Sequence, residues 1–67
     1  MFFPRIRDLR NDADKTQIDI ANELNLNREV YRRYELGERE IPVWAVIKLA
    51  DYFKTSVDYI LGRTNKR

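Results

Sequence analysis

The sequence predicts an all-α fold, a compact bundle of five short helices. Three observations carry this. Apolar residues recur at helical spacing through every segment, and no strand-type alternation of useful length occurs. Residues suited to helix starts (Pro4, Thr16, Asn27, Pro42, Thr55 or Ser56) and stops (Asn25, Gly37, Gly62) bracket the apolar segments. The segment TQIDIANELNLNREVYRRYE joins two short helical patterns at Asn25, and the second has a basic face opposite an apolar one.

The elements follow in order. Pro4 suits a first helical position. Phe2, Ile6, Leu9 and Ala13 line one face, with Phe2 stapling the helix start, and the polar run 11–15 ends the helix. Thr16 is a good N-cap for the second helix, and Asp19 three residues on can complete a capping box. Ile20, Ala21 and Leu24 form its inner face, with Ala21 small enough to let the next helix cross closely. Asn25 follows the last apolar residue, where a left-handed backbone is needed and Asn is the best residue after Gly. Leu26 plugs the turn and Asn27 caps the third helix. At about 100° per residue, Val30, Tyr31 and Tyr34 share one arc of that helix. Arg28, Glu29, Arg32 and Arg33 share the opposite arc, so one face can be buried while the other reaches a groove. Gly37 ends the helix, and GEREI makes a charged loop. Pro42 starts a fourth helix with Val43, Val46, Ile47, Leu49, Ala50 and Phe53 inward. Trp44, Lys48 and Tyr52 face outward, with a cation–π contact between Trp44 and Lys48 in reach. The short fifth helix turns Val57, Ile60 and Leu61 inward and ends at Gly62. The basic tail 63–67, with Arg63, Lys66 and Arg67, reads as solvated and frayed.

Composition narrows the chemistry. Sixty-seven residues allow one domain, spanning 1–67. The chain has no Cys and no His, which removes disulfides, thiolate metal sites, the usual zinc sites and the common nucleophile–histidine pairs. No run of about 20 apolar residues exists to span a membrane. Charges begin at Arg5, so Phe2 and Phe3 do not make a signal peptide, and a cytoplasmic location is the default expectation. The net charge of +2 says little, but residues 28–33 hold three arginines against one glutamate. Carboxylates are plentiful but scattered, so an enzyme such as a nuclease is not expected, nor is a cofactor or metal.

The pieces RIRDLR, TQIDIANEL, YRRYELGEREIP, VIKLADYF and SVDYILGRT, in this order and spacing, make the chain resemble the Cro and phage-repressor family of helix-turn-helix regulators, also called the XRE family. The likeness covers about 5–64, with the helix-turn-helix at about 17–36. The family usually has Gly where this chain has Asn25, and often an aliphatic residue where it has Tyr31. Tyr31 is expected to place its hydroxyl at the rim or in a hydrogen bond.

The resemblance implies a lambda-repressor-like domain that binds double-stranded DNA at a near-palindromic operator. It implies transcriptional regulation, most simply repression. Arg28, Glu29, Arg32 and Arg33 are the candidates for base reading, since Arg can grip guanine with two hydrogen bonds and Glu can accept from cytosine. Glu29 is equally placed to pair with Arg32 or Arg33. Thr16, Gln17, Asn27, Gly37 and Arg39 are candidates for phosphate contact or positioning. Arg10 and Glu35 are expected to form a structural ion pair that orients the reading helix. A weak homodimer is expected, with Tyr59 and Leu61 on the fifth helix, or the rival surface of Trp44 and Tyr52, as its contact. The sequence ends soon after the fifth helix, so no small-molecule effector pocket is expected. The alternative is a protein-interaction module on the same fold, such as an antitoxin or adaptor, which Trp44, Tyr52 and Tyr59 favour and the basic helix disfavours.

Overall fold

The computed structural model describes residues 2–67. Its five helices are α1 (Pro4–Asp12), α2 (Gln17–Glu23), α3 (Arg28–Leu36), α4 (Val43–Phe53) and α5 (Val57–Ile60), within an envelope of 29 × 24 × 18 Å. Helix α2 packs chiefly on α3, α4 on α5, and α1 bridges α3 and α5. Short helices are marginal alone, so their shared core stabilises them. That core is Ile6 and Leu9 of α1, Ile20 and Ala21 of α2 with Leu24 after it, Tyr31 and Tyr34 of α3, Ala45, Val46, Leu49 and Ala50 of α4, and Ile60 of α5, with Ile41 sealing the loop.

Side chains cap the starts of α2, α3 and α5. Thr16 and Asp19 form a reciprocal capping box, with Asp19 N–H donating to the Thr16 hydroxyl and Thr16 N–H donating to the Asp19 carboxylate. The hydrogen bonds to Thr16 hold the Asp19 carboxyl below its ordinary pKa. Asn27 accepts from Val30 N–H at 2.9 Å, and Ser56, rather than Thr55, accepts from Tyr59 N–H at 3.0 Å. Pro42 stands at the N-cap of α4, one position before the helix proper.

The helix ends share one device. Each closes through a paired bond in which the last residue reaches back five positions and the one before it three. At α2 these are Leu26 N–H to Ala21 C=O and Asn25 N–H to Asn22 C=O, with Asn25 at φ +56°. At α3 they are Glu38 N–H to Arg33 C=O and Gly37 N–H to Tyr34 C=O, with Gly37 at φ +78°. The same pattern recurs with Asp14, Lys54 and Gly62 in the left-handed position. Asp14 and Lys54 hold that position without the usual Gly or Asn.

Gly37 has a second reason to be Gly. A Cβ there would lie 3.0 Å from the Phe2 Cβ. The close approach that Gly37 allows is therefore to Phe2 of the same chain. Gly37→Ala should lose about 1–2 kcal/mol from the left-handed backbone alone, read as a lower urea midpoint.

Several sequence expectations are corrected here. Val43 and Ile47 do not face inward; they are 75% and 47% exposed, and Ala45 is buried in their stead. The fully buried stripe of α4 runs through 45, 46, 49 and 50, with Tyr52 and Phe53 packed partly against the core. Phe53 is only half-buried. Phe3, not Phe2, packs on the core, and Ala13 is exposed. The tail is not loose along its length: Arg5 donates to the backbone carbonyls of Tyr59 and Thr64 and to the Asn65 side chain, drawing the tail onto α1.

Candidate nucleic-acid interface

Helix α3 sorts its residues sharply. Tyr31, Tyr34 and Glu35 are buried, Val30 is half-buried, and Arg28, Glu29 and Arg33 are exposed, with Arg32 intermediate. The capping of Asn27 and the stop at Gly37 fix its length to nine residues.

A buried polar knot ties this helix to the body. Arg10 of α1 grips Glu35 with two parallel bonds, Nε to Oε2 at 2.9 Å and Nη2 to Oε1 at 3.0 Å. Arg10 Nη1 also donates to the Lys15 carbonyl at 2.9 Å. Gln17 Nε2, at the start of α2, donates to Glu35 Oε1 at 3.3 Å. The Glu35 side chain is 1% exposed and that of Arg10 is 13% exposed. Burial pushes the Glu35 carboxyl up, but the hydrogen bonds from Arg10 and Gln17, with the Tyr31 hydroxyl dipole nearby, bring it below its ordinary value. The Glu35 bond raises the Arg10 pKa. Three helices thus meet at one carboxylate.

Tyr31 departs from expectation. Its hydroxyl is neither at the rim nor in hydrogen-bond geometry with a partner, and the residue is fully buried. Burial first, and then the neighbouring Glu35 carboxylate, raise its pKa far above the ordinary value, so it stays a neutral phenol.

The outward face has its own pairing. Arg32 meets Glu29 with two bonds, Nη2 to Oε1 at 2.6 Å and Nε to Oε2 at 3.1 Å. Arg33 Nε adds a third at 3.3 Å. These bonds, Arg32's first, lower the Glu29 carboxyl to about 2. The Glu29 bond raises Arg32 in turn. Glu38 stands 3.9 Å from Arg32 Nη2, beyond hydrogen-bond reach. Arg28 and Arg39 are exposed, and their side chains enter no hydrogen bond or ion pair with the described residues, although Arg39 N–H donates to the Arg33 carbonyl at 3.3 Å. The described residues contain no group of three His, Cys, Asp or Glu able to hold a metal ion. What this surface offers is cationic N–H donors on a rigid helix.

The helix-turn-helix family model matches residues 6–60, most of the chain, from within α1 to the end of α5. The chain belongs to the XRE-type helix-turn-helix family, a family of DNA-binding transcription regulators. Similar proteins include the uncharacterized HTH-type transcriptional regulator YqaE of Bacillus subtilis, 32% identical over 100% of this chain and 59% of that protein. The cryptic phage CTXphi transcriptional repressor RstR of Vibrio cholerae serotype O1 is 32% identical over 88% of this chain and 53% of its own length. The HTH-type transcriptional regulator ImmR of Bacillus subtilis is 30% identical over 88% of this chain and 46% of that protein. The chain thus spans about half to three fifths of these relatives. No solved structure matches it.

In this XRE-type domain the other candidate residues stand as follows. The Thr16 oxygen is engaged by the capping box, which leaves its O–H proton to donate outward. Gln17 spends one amide proton on Glu35 and retains a second. Asn27 uses its carbonyl oxygen as the cap and keeps its NH₂. The Tyr59 ring is not an open dimer surface, since the Arg5 guanidinium lies 4.2 Å from its centroid and that of Arg67 5.7 Å. Tyr52 is half-buried, edge-on to Phe53 at 5.0 Å, and so is not an outward residue. Trp44 is exposed, but Lys48 reaches the Glu23 carbonyl at 3.5 Å rather than the indole. Leu61 lines a largely apolar groove with Phe3, Ile41, Val43, Val46 and Val57, and Glu40 stands among them as its one charged residue. This chain's fold has a feature no motif announced: the Arg5 clasp joins residues 59 apart, and its one sequence cue is an Arg beside an aromatic-rich end. No helix among the described residues is long and apolar enough to cross a membrane.

Proposed function

We propose that this protein binds double-stranded DNA sequence-specifically and regulates transcription, most simply as a repressor. One observation supports this above others. Helix α3 is anchored on its inner face by Tyr31, Tyr34 and the Arg10–Glu35–Gln17 knot, while its outer face carries Arg28, Arg32 and Arg33. A rigid helix with guanidinium groups outward suits the major groove. Thr16, Gln17, Asn27 and Arg39 retain donors for phosphates, which position the helix without reading sequence. Gly37 serves the stop of α3 rather than a phosphate. The similar proteins named as transcriptional regulators and a phage repressor agree with this reading.

Sequence choice by one short helix is limited, so the protein acts on a near-palindromic operator as a two-fold dimer. The largely apolar groove lined by Val43, Val57 and Leu61 is the favoured contact surface, since the Tyr59 ring carries the Arg5 guanidinium and Tyr52 packs edge-on to Phe53.

Titration of operator binding against salt tests the DNA reading. Neutralising about four to eight phosphates per dimer gives a log–log slope of roughly −4 to −7. An affinity that ignores salt defeats the proposal. Arg28→Ala should relax choice at one base pair per half-site, at about 1–3 kcal/mol. Arg39→Ala should weaken all sequences alike and flatten the slope by about one unit per site. Selection from randomised DNA with each variant separates the two, and an unchanged consensus for Arg28→Ala removes its assignment.

A further inference from the structure

The outward face of α3 holds more order than a row of solvated arginines. Glu29 takes Nε and Nη2 of Arg32 on its two oxygens, so it occupies the side edge of the guanidinium. A guanidinium has five N–H donors in a planar fork. Two are consumed, and the end-on pair, one N–H from each Nη, is left clear. Glu38 does not take it, since its oxygen stays 3.9 Å from Nη2. Arg33 is held differently, by Nε alone at 3.3 Å, and Arg28 is not held at all. The three arginines are therefore unequal in conformational freedom.

We propose that Glu29 contacts no base but acts as a positioning residue, clamping Arg32 so that its end-on fork is preset to grip the O6 and N7 of one guanine in each half-site. This rests on the DNA reading above and deepens it by naming the base and the residue that selects it. Two physical arguments favour it over a direct contact from Glu29 to cytosine. Both carboxylate oxygens already receive charged donors, and the carboxyl's low pKa keeps that acceptor ionised at every pH of interest. A fork fixed before binding loses less side-chain entropy on meeting guanine than a free one. The clamp also neutralises Arg32 towards phosphates, which lowers affinity for random DNA.

The test uses the full chain and a site selected by the parent protein. Each guanine is replaced in turn by deazaguanine, which lacks the N7 acceptor. Binding is measured for the parent, Glu29→Ala, Glu29→Gln, Arg32→Ala and the Glu29→Ala/Arg32→Ala double variant. In the parent, one replacement per half-site should weaken binding on the order of tenfold. In Glu29→Ala and Glu29→Gln that sensitivity should fall several-fold, while affinity for random DNA rises and its salt slope steepens by about one per site. The double variant should match Arg32→Ala in its deazaguanine profile. Glu29 is exposed, so both variants should keep the parent's circular dichroism. A deazaguanine profile unchanged by the Glu29 variants overturns the clamp while leaving the DNA reading intact. So does a Glu29 effect on the deazaguanine profile that persists without Arg32, which would mean direct contact. A parent that selects no consensus overturns both.

Discussion

Glu35→Ala should cost about 3–5 kcal/mol of stability, a large share of what a domain this small holds. The reason is not the worth of the ion pair itself. Two charges buried together regain little beyond their desolvation, but one left alone has no compensation. In the variant, Arg10 would keep only the Lys15 carbonyl, and Gln17 would lose its acceptor. Urea unfolding measures the loss. Arg10→Met with Glu35→Leu should recover most of it, because an apolar pair of similar volume needs no partners. Operator affinity should fall with Glu35→Ala while the selected sequence stays the same, since the knot orients α3 without touching bases. A variant that unfolds at the parent's midpoint would show that the pair carries no such burden.

The pH dependence follows from the same residue. The folded pKa of Glu35 lies below its ordinary 4.5, so the carboxylate's stabilisation is fully present above that value. It is lost as pH falls from 4.5 through the folded pKa, where the folded state must also protonate. The parent should therefore lose stability on acidification in that window. The Arg10→Met/Glu35→Leu double variant should show a shallower decline.

What the sequence made legible was local. Caps are decided by a residue and its neighbours within four positions, which is why Thr16 with Asp19, Asn27, Asn25 and Gly37 could be placed from their spacing alone. The Glu29 pairing is of the same kind, three and four residues along one helix. What stayed hidden was decided across the fold. Apolarity on α4 is wider than the stripe the body can cover, so periodicity points Val43 and Ile47 inward although the buried residues are 45, 46, 49 and 50. Ala45 gave no signal because its methyl is small, yet it is fully buried. Asp14 and Lys54 take left-handed backbones that their residue types do not announce. The Arg5 clasp depends on the chain returning to its own start. In the candidate interface, periodicity located the arginines on one arc, but their inequality required knowing which oxygen each one meets.

Val43→Asp should abolish cooperative occupation of the full operator while sparing the fold. Val43 is 75% exposed, so a carboxylate there remains hydrated in the monomer. It also lines the groove with Val57 and Leu61, so in a dimer across that groove the same carboxylate would be buried against these apolar side chains and beside Glu40, a second negative charge of the lining. Linking two half-site contacts raises apparent affinity by about 10²–10⁴ over one contact, and the variant should forfeit most of that factor. Binding to an isolated half-site should change little. Trp44→Asp, one residue away on the same helix, separates this surface from its rival, since Trp44 does not line the groove. Sedimentation of the free protein should show mostly monomer for parent and variant alike, because the groove is small. The operator complex should hold two chains for the parent and one per site for Val43→Asp at the same concentration. Loss of cooperativity in Trp44→Asp but not in Val43→Asp would move the contact to the indole face. A parent complex with a single chain on the full operator would end the dimer proposal.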